Sequence, residues 1–424
     1  MSGMQLKELR INAVRLQKNI EVLARFGLNE ATGGLDRTTF TAAELAAREW
    51  LEDQLFRLQL EVRVDEAANI WGRRSGSEDA LPVIAFGSHI DTVPNGGKYD
   101  GALGVLLALE VMQVLADHNA VTRHPLELVS FSAEEPNPFG LSTFGSRAVS
   151  GKLSRDDLTG VRNGQGQLLT EALRLAGGNP GRFERARRTP EELAAFLEVH
   201  IEQGKRLLSR GVPVGIVTAI TGIYREEVTV SGEANHAGTT LMEDRKDALM
   251  GASEIMLAFE QLCREHPADD VVGTVGRISN EPNAANIIPG QTVFHLEVRA
   301  AQQEQKRWVM EAWAVQAASI AERRGLSLAR RLILDQPSQP MAPQLIRLLA
   351  AQAGRLGIKT YPLGSMAGHD AAHMASLTSA GMLFVPSLGG KSHCPEEESR
   401  IEDIEQAGNV LLQSILALDV ELSP

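Results

Sequence analysis

The sequence predicts an α/β protein in which a mixed-sheet domain is interrupted by an inserted α+β unit of ferredoxin-like pattern. Three observations carry that expectation. The chain has 424 residues, more than a single domain usually holds and enough to bury a substantial core. Its first and last parts set continuous apolar runs between amphipathic stretches, as strands covered by helices on both faces do. After about Val212 the strands instead alternate apolar and polar residues, as strands with one exposed face do. The boundaries expected from this change are residues 1–213 and 336–424 for the α/β domain and 214–335 for the insert.

In chain order, apolar residues recur at helical spacing from Leu6 to Leu28 and from Ala42 to Leu58, with Thr41 at the N-cap position of the second helix. Leu60 to Trp71 and Pro82 to Gly87 read as strands, the latter (PVIAFG) continuously apolar. Gly101 to Val114 is an apolar helix and Leu126 to Ser132 (LELVSFS) another buried strand. In the insert, strands are expected over Val217 to Glu233, Val272 to Ile278, Thr292 to Ala300 and Leu326 to Leu334, and amphipathic helices over Arg245 to His266 and Gln303 to Arg324. The order is strand, helix, strand, strand, helix, strand. Ala342 to Leu356, Met382 to Pro386 and Ile404 to Leu418 then return to helix, buried strand and helix.

Composition removes several classes of function. The net charge of -12 leaves no basic face for a phosphate backbone, so no nucleic-acid partner is expected. The opening residues form a charged amphipathic stretch without the apolar core of a signal peptide or a membrane span, so no membrane partner is expected either. Cys263 and Cys394 are too few for a disulfide framework and suit a reducing compartment, which makes the cytoplasm the expected location.

The residues that carry chemistry fall at strand ends, where ligands of open α/β sheets collect. In GSHIDTVPNGGKYDGALGV, His89 and Asp91 are two apart on a strand-like segment, so Asp91 can hydrogen-bond the far ring nitrogen of His89. Asp100 follows the Gly-rich turn at Asn95, Gly96 and Gly97 and opens the next helix, where its carboxylate can face the same space. Glu134 and Glu135 are adjacent carboxylates that repel unless they differ in role, one binding metal while the other stays free as a base. His200 in LEVHIEQG and His393 in GGKSHCPEE stand beside carboxylates that could orient them. Each histidine alone could be a structural residue satisfied by its neighbours. Together His89, Asp100, Glu135, His200 and His393 form an N/O ligand set suited to zinc, or to manganese, nickel or cobalt. His369 and Asp370 read as a supporting pair, and His118, His124, His266, His295 and His373 as structural.

The ordered motifs GSHIDTVPNGGKYDGALGV, FSAEE, GSRAVSG, EVHIEQG, GEANHAGTT, ANIIPG, AGHDA and SHCPEE resemble the hydantoinase/carbamoylase branch of the M20 metallopeptidase superfamily. That branch includes N-carbamoyl-L-amino acid hydrolases, β-ureidopropionases, and allantoate and ureidoglycolate amidohydrolases. The resemblance runs from about Gly34 to the C-terminal helix. It implies two divalent metal ions per subunit, one on His89, Asp100 and His200 and the other on Asp100, Glu135 and His393, with Asp100 as the bridge. It also implies Glu134 as general base, Asp91 as the carboxylate orienting His89, and Gln203, His236, Asn286 and Arg299 as substrate-binding groups. His236 would reach the active site of the other subunit of a homodimer and serve there in catalysis. The histidine at 200, where peptidase branches generally place a carboxylate, points to ureido cleavage.

The chain departs from the family pattern at Pro136, Asn137 and Pro138, at Glu297 in place of aspartate, and at Ile223 and Tyr224, beside which Arg225 is a further candidate substrate contact. The expected reaction converts a small ureido carboxylate, an N-carbamoyl-L-amino acid first, to amino acid, ammonia and carbon dioxide. Allantoate, ureidoglycolate and N-carbamoyl-β-alanine are alternative substrates, and an aminoacylase or aminopeptidase is an alternative activity. A non-catalytic binding protein would show lost ligands or a lost Glu134, and neither is lost. The insert is expected to act as lid and dimerisation domain. Arg299 could equally pair with Glu297, Asn286 could be a turn residue, and His236 could cap a helix or loop.

Overall fold

The computed structural model describes Leu6 and residues 8–422; the opening residues of the amphipathic N-terminal stretch lie outside these. The chain divides into two compact units, Met1–Thr218 with Met341–Leu363 and His369–Pro424, and Ala219–Pro340 with Gly364–Gly368.

The first unit is a mixed α/β fold. Its sheet is built on strands β1 (Glu61–Val64), β2 (Ile70–Arg74), β3 (Val83–His89), β4 (Leu126–Phe131), β5 (Leu193–Ile201), β6 (Val214–Ile220), β13 (Gln339–Pro340), β14 (Thr360–Ser365) and β15 (Ala380–Val385). The strand path is β1-β2-β4-β3-β5-β15-β6-β13, with β14 on β6. The four central strands β4, β3, β5 and β15 are mutually parallel, and β2 and β6 flank them antiparallel. β3, β4 and β15 are buried along their whole length, as continuous apolar runs require when helices cover both faces. The long helices α1 (Ala13–Leu23), α2 (Ala42–Arg57), α3 (Ala102–Asp117), α7 (Pro343–Arg355) and α9 (Ile401–Glu421) share one core with one face of the sheet, and the short helices α4 (Phe144–Val149) and α8 (Ala371–Met374) lie against the other. Thr41 caps α2, its side chain accepting from Glu44 N. Burying one leucine of this core contributes about 1.5–3 kcal/mol.

Three elements differ from the sequence expectation. The strand expected over Leu60 to Trp71 is two antiparallel strands, β1 and β2, because Asp65 accepts from Ala67 N and Asn69 N and closes a turn with Ala68 at φ 64. The strand expected over Val217 to Glu233 breaks at Thr221, where β6 ends and β7 (Gly222–Ser231) begins in another sheet. The helix expected from Leu6 to Leu28 is interrupted over residues 8–12, and its second part runs over Ala13–Leu23, from the Asn12 cap to the turn that follows.

The second unit carries a four-stranded antiparallel sheet in the order β12-β7-β11-β9, where β9 is Val271–Glu281, β11 Gln291–Ala300 and β12 Ser327–Gln336. Helices α5 (Ala248–Arg264) and α6 (Gln303–Arg323) cover one face, and Phe259, Phe294, Leu296 and Trp313 lie in the core between them. A two-stranded ribbon pairs β8 (Asn235–His236) with β10 (Ile287–Ile288). No helix among the described residues is long and apolar enough to cross a membrane.

Candidate metal centre

The carboxyl ends of the parallel strands deliver the site. His89 is the last residue of β3, Glu134 and Glu135 follow β4, His200 is next to last in β5, and the loop after β15 carries His393. Asp100 stands just before α3, which packs against β3 and β5. A Cβ at Gly101 would lie 2.2 Å from the His89 ring, so only glycine, here at φ 63, lets the helix start against that imidazole.

Asp100 is the centre of the arrangement. Its Oδ1 lies 3.1 Å from His200 Nε2 and 3.8 Å from His89 Nε2, while its Oδ2 lies 3.3 Å from His393 Nε2. His393 Nε2 is also 3.3 Å from Glu135 Oε1, a buried oxygen with no well-directed donor. Ligand atoms of His89, Asp100 and His200, and likewise of Asp100, Glu135 and His393, lie within 4.8 Å of one another. Glu134 belongs to neither group; its Oε2 is 3.6 Å from His89 Nε2.

Supporting bonds fix these side chains. His89 Nδ1 donates to Asp91 O at 3.0 Å and His200 Nδ1 to Ile201 O at 3.0 Å, which leaves a lone pair on each Nε2, that of His200 accepting from Gly101 N at 3.1 Å. Asp91 lies 3.4 Å from His89 Nδ1, and its two oxygens accept the amides of Glu134 and Glu135 at 3.2 Å and the Thr39 hydroxyl at 2.8 Å. One carboxylate thus holds both the imidazole and the turn bearing the acidic pair. The fully buried Arg37 donates to Ile90 O beside them, to Leu23 O at the end of α1 and to Phe26 O just beyond it.

The electrostatics point the same way. Burial opposes a charge on His89, yet Glu134 and Asp91 outweigh it and hold the ring well above its ordinary pKa. Burial would raise Asp100, but His200, His393 and His89 bring it well below the carboxylate range. Asp100 and Glu135 draw His393 up to about 10. Burial, with Asp370 and the neighbouring acids, lifts Glu134 well above its usual value against the pull of His89. Lone pairs of two imidazoles and a carboxylate converge, and carboxylates crowd around them. Buried groups of this kind require a cation or extra protons. The residues present therefore fit divalent metal ions with N/O coordination.

Of the sequence-derived candidates, Gln203 also lies here: its Nε2 donates to Asp100 Oδ2 at 2.7 Å. The other four lie in the second unit, where they form two pairs. The β8–β10 ribbon sets His236 opposite Ile287, and Ala237 N donates to Asn286 O. Arg225 and Arg299, on the adjacent strands β7 and β11, share the carboxylate of Glu297, with Arg225 Nε at 2.9 Å and Arg299 Nε at 2.7 Å. The His369 ring packs edge-on at 4.5 Å against that of His200, and burial pushes Asp370 up to about 8. Sequence reasoning missed Thr39, Glu198, Ser392 and Glu397. Glu198 interrupts an otherwise apolar strand, and Ser392 and Glu397 stand in the SHCPEE motif; both are usable signals.

The family model for peptidase family M20/M25/M40 matches residues 85–417. The N-carbamoyl-L-amino acid amidohydrolase of Geobacillus stearothermophilus is 37% identical over 413 residues, 96% of this chain and 99% of that protein. The allantoate amidohydrolase of Bacillus subtilis (strain 168) is 37% identical over 390 residues, 91% of this chain and 93% of that protein. Among solved structures, a hydantoinase/carbamoylase family amidase from Burkholderia ambifaria matches with a TM-score of 0.89 at 31% identity, covering 97% of this chain and 98% of that one.

Proposed function

The chain belongs to peptidase family M20/M25/M40, in its hydantoinase/carbamoylase branch, and we propose that it hydrolyses the carbamoyl C–N bond of an N-carbamoyl-L-amino acid with two divalent cations per subunit. The observation that carries this reading is Asp100, whose two oxygens face different donors while Glu134 stays outside both groups. His89, Asp100 and His200 would hold one cation and Asp100, Glu135 and His393 the other, with zinc, manganese, nickel or cobalt suited to such donors.

When bound, such cations lower the pKa of a water molecule and place positive charge where the carbonyl oxygen turns negative. Glu134 takes the proton of the attacking water and passes it to the departing nitrogen, a task its raised pKa suits. The water oxygen bonds to the ureido carbon and the C–N bond breaks, giving the amino acid and carbamic acid; the latter falls apart to ammonia and carbon dioxide. Asp91 keeps His89 and Glu134 in register. Gln203 Oε1 is buried without a partner and offers an acceptor to a ureido N–H.

Arg299 and Arg225 supply planar forks for the substrate carboxylate, with Asn286 and His236 as polar partners. A homodimer formed through the second unit, acting as a lid, and a cytoplasmic location for a protein with two free cysteines complete the reading.

The test is chelation followed by ammonia assays on N-carbamoyl-L-amino acids, N-carbamoyl-β-alanine, allantoate and ureidoglycolate. Activity should vanish with the metal and return with Zn2+, Mn2+, Ni2+ or Co2+, and be highest on N-carbamoyl-L-amino acids. Full turnover by metal-free protein would refute the metal reading. A preference for allantoate would transfer the assignment to the activity that the equally similar Bacillus relative is named for.

A further inference from the structure

We infer that Glu397, acting with Ser392, is the positioning residue that sets Asp100 between its two groups of partners and so governs whether the cation shared by Asp100, Glu135 and His393 is held. The inference rests on the two-cation reading above.

In the sequence Glu397 belongs to the acidic run PEEES, which looks like a solvated loop, yet the residue is only 2% exposed. Its Oε1 accepts the backbone N–H of Tyr99 at 2.8 Å and of Asp100 at 3.0 Å. Its Oε2 lies 2.9 Å from Ser392 Oγ, which is itself 2.7 Å from Asp100 Oδ2. Ser392 has one hydroxyl proton for two carboxylate oxygens and can donate to only one of them at a time. A cation held by Asp100 would resolve that conflict, leaving the hydroxyl to donate to Glu397.

These contacts join loops nearly 300 residues apart in sequence, and they end on the amide and the carboxylate of Asp100 itself. Glu398 adds a second clasp, accepting from the Tyr99 hydroxyl and lying 3.2 Å from Lys98 Nζ. The turn leaves room for the acid: a Cβ at Gly97 would lie 2.2 Å from Glu397 Cδ. His393, in the same loop, sits at φ 57, a backbone conformation that the clasp holds in place. The inner oxygens of Glu397 therefore fix both the height of Asp100 and the loop that brings His393 to it.

The experiment counts ions. Metal-free protein is titrated with Mn2+ or Co2+, the bound metal is measured by mass spectrometry, and folding is followed by circular dichroism. The parent protein should bind two ions per chain. Glu397→Ala should keep the tighter ion and bind the other about 10- to 100-fold more weakly, the usual cost of removing a group that orients a ligand. Glu397→Gln keeps an oxygen for the amides of Tyr99 and Asp100 and should restore both ions to within about threefold. Ser392→Ala should weaken the same ion, but less. A parent that binds one ion or none refutes the two-cation reading before any variant is made. Undiminished binding of both ions by folded Glu397→Ala overturns the inference, as does equal loss of both. Should Glu397→Ala fail to fold, Gly97→Ala displaces the same carboxylate and is expected to lose the same ion selectively; if it and Ser392→Ala both retain two ions at parental affinity, the inference falls.

Discussion

The two units hold their charged groups in opposite ways. In the first, His89, Asp91, Asp100, Glu134, Glu135 and His200 are all buried, and acceptor faces acceptor around Asp100. In the second, His236 is exposed, and Arg225 and Arg299 already have a counter-charge in Glu297. Burial without a partner is costly, so the first arrangement calls for a cation or extra protons. A half-buried guanidinium with a carboxylate partner gives that partner up more cheaply for another carboxylate. The first is built around a fixed charge, the second around an exchangeable one.

The largest effect that would break this contrast is at Glu134. Glu134→Gln should lower turnover about 1000-fold while metal content stays at the parental level, because the amide cannot accept the water's proton. Loss of metal would make Glu134 a ligand and release Glu135 from that role. Next comes a test of whether the second unit serves its own chain. Glu134→Gln protein mixed with His236→Ala protein should recover about one quarter of parental activity, since half of the dimers are hybrids with one intact site of two. Subunit exchange must be shown by tagged pull-down, and exchanged hybrids without activity would confine His236 to its own chain or remove it from catalysis.

At Arg299 the exchangeable charge is probed directly. Arg299→Lys should raise KM about 10- to 100-fold with little change in kcat, because an ammonium cannot form the paired bonds of a guanidinium. An unchanged KM would remove Arg299 from substrate binding. The smallest effect concerns a buried acid that has its own cation. Burial pushes Glu44 up to about 7, although Arg48 lies 3.5 Å away. The folded protein then binds more protons at this site than the unfolded chain between its ordinary value and about 7. Stability from Glu44 is present below that window and lost as pH rises through it. Glu44→Gln should flatten the pH dependence of urea unfolding between about pH 4.5 and pH 7, by on the order of 1 kcal/mol. Identical slopes in parent and variant would show that the Arg48 pair keeps Glu44 ionised.

How far the sequence could be read depended on whether a residue's partners lie near it in the chain. His89, Asp100, Glu134 and Glu135 stand at visible strand ends and helix starts, so their convergence is legible from the α/β pattern. β5 is not, because Glu198 breaks its apolar run; the structure satisfies that acid with the Ser88 hydroxyl and Ala371 N, which are remote in sequence. The hairpin at Asp65 lacks the glycine or proline that usually marks a turn, and its Asp side chain does that work instead. Ser392 and Glu397 look like loop residues until Tyr99 and Asp100 are placed beside them. The pairing of Arg225 and Arg299 through Glu297 needed the register of β7 and β11.

Arg37 leads to a consequence for how the protein is made in the cell. Its guanidinium links the end of α1 to Ile90, and α1 follows a segment whose Ile11 N donates to Asn409 of the helix at Ile401–Glu421. The residues that surround Asp100 likewise extend from His89 to Glu397. While the last part of the chain is still inside the ribosome, the cluster lacks His393, the acid that seats Asp100 and the helix that holds Ile11. The ion proposed for Asp100, Glu135 and His393 would therefore be acquired only after release of the finished polypeptide, from the pool that the completed protein meets.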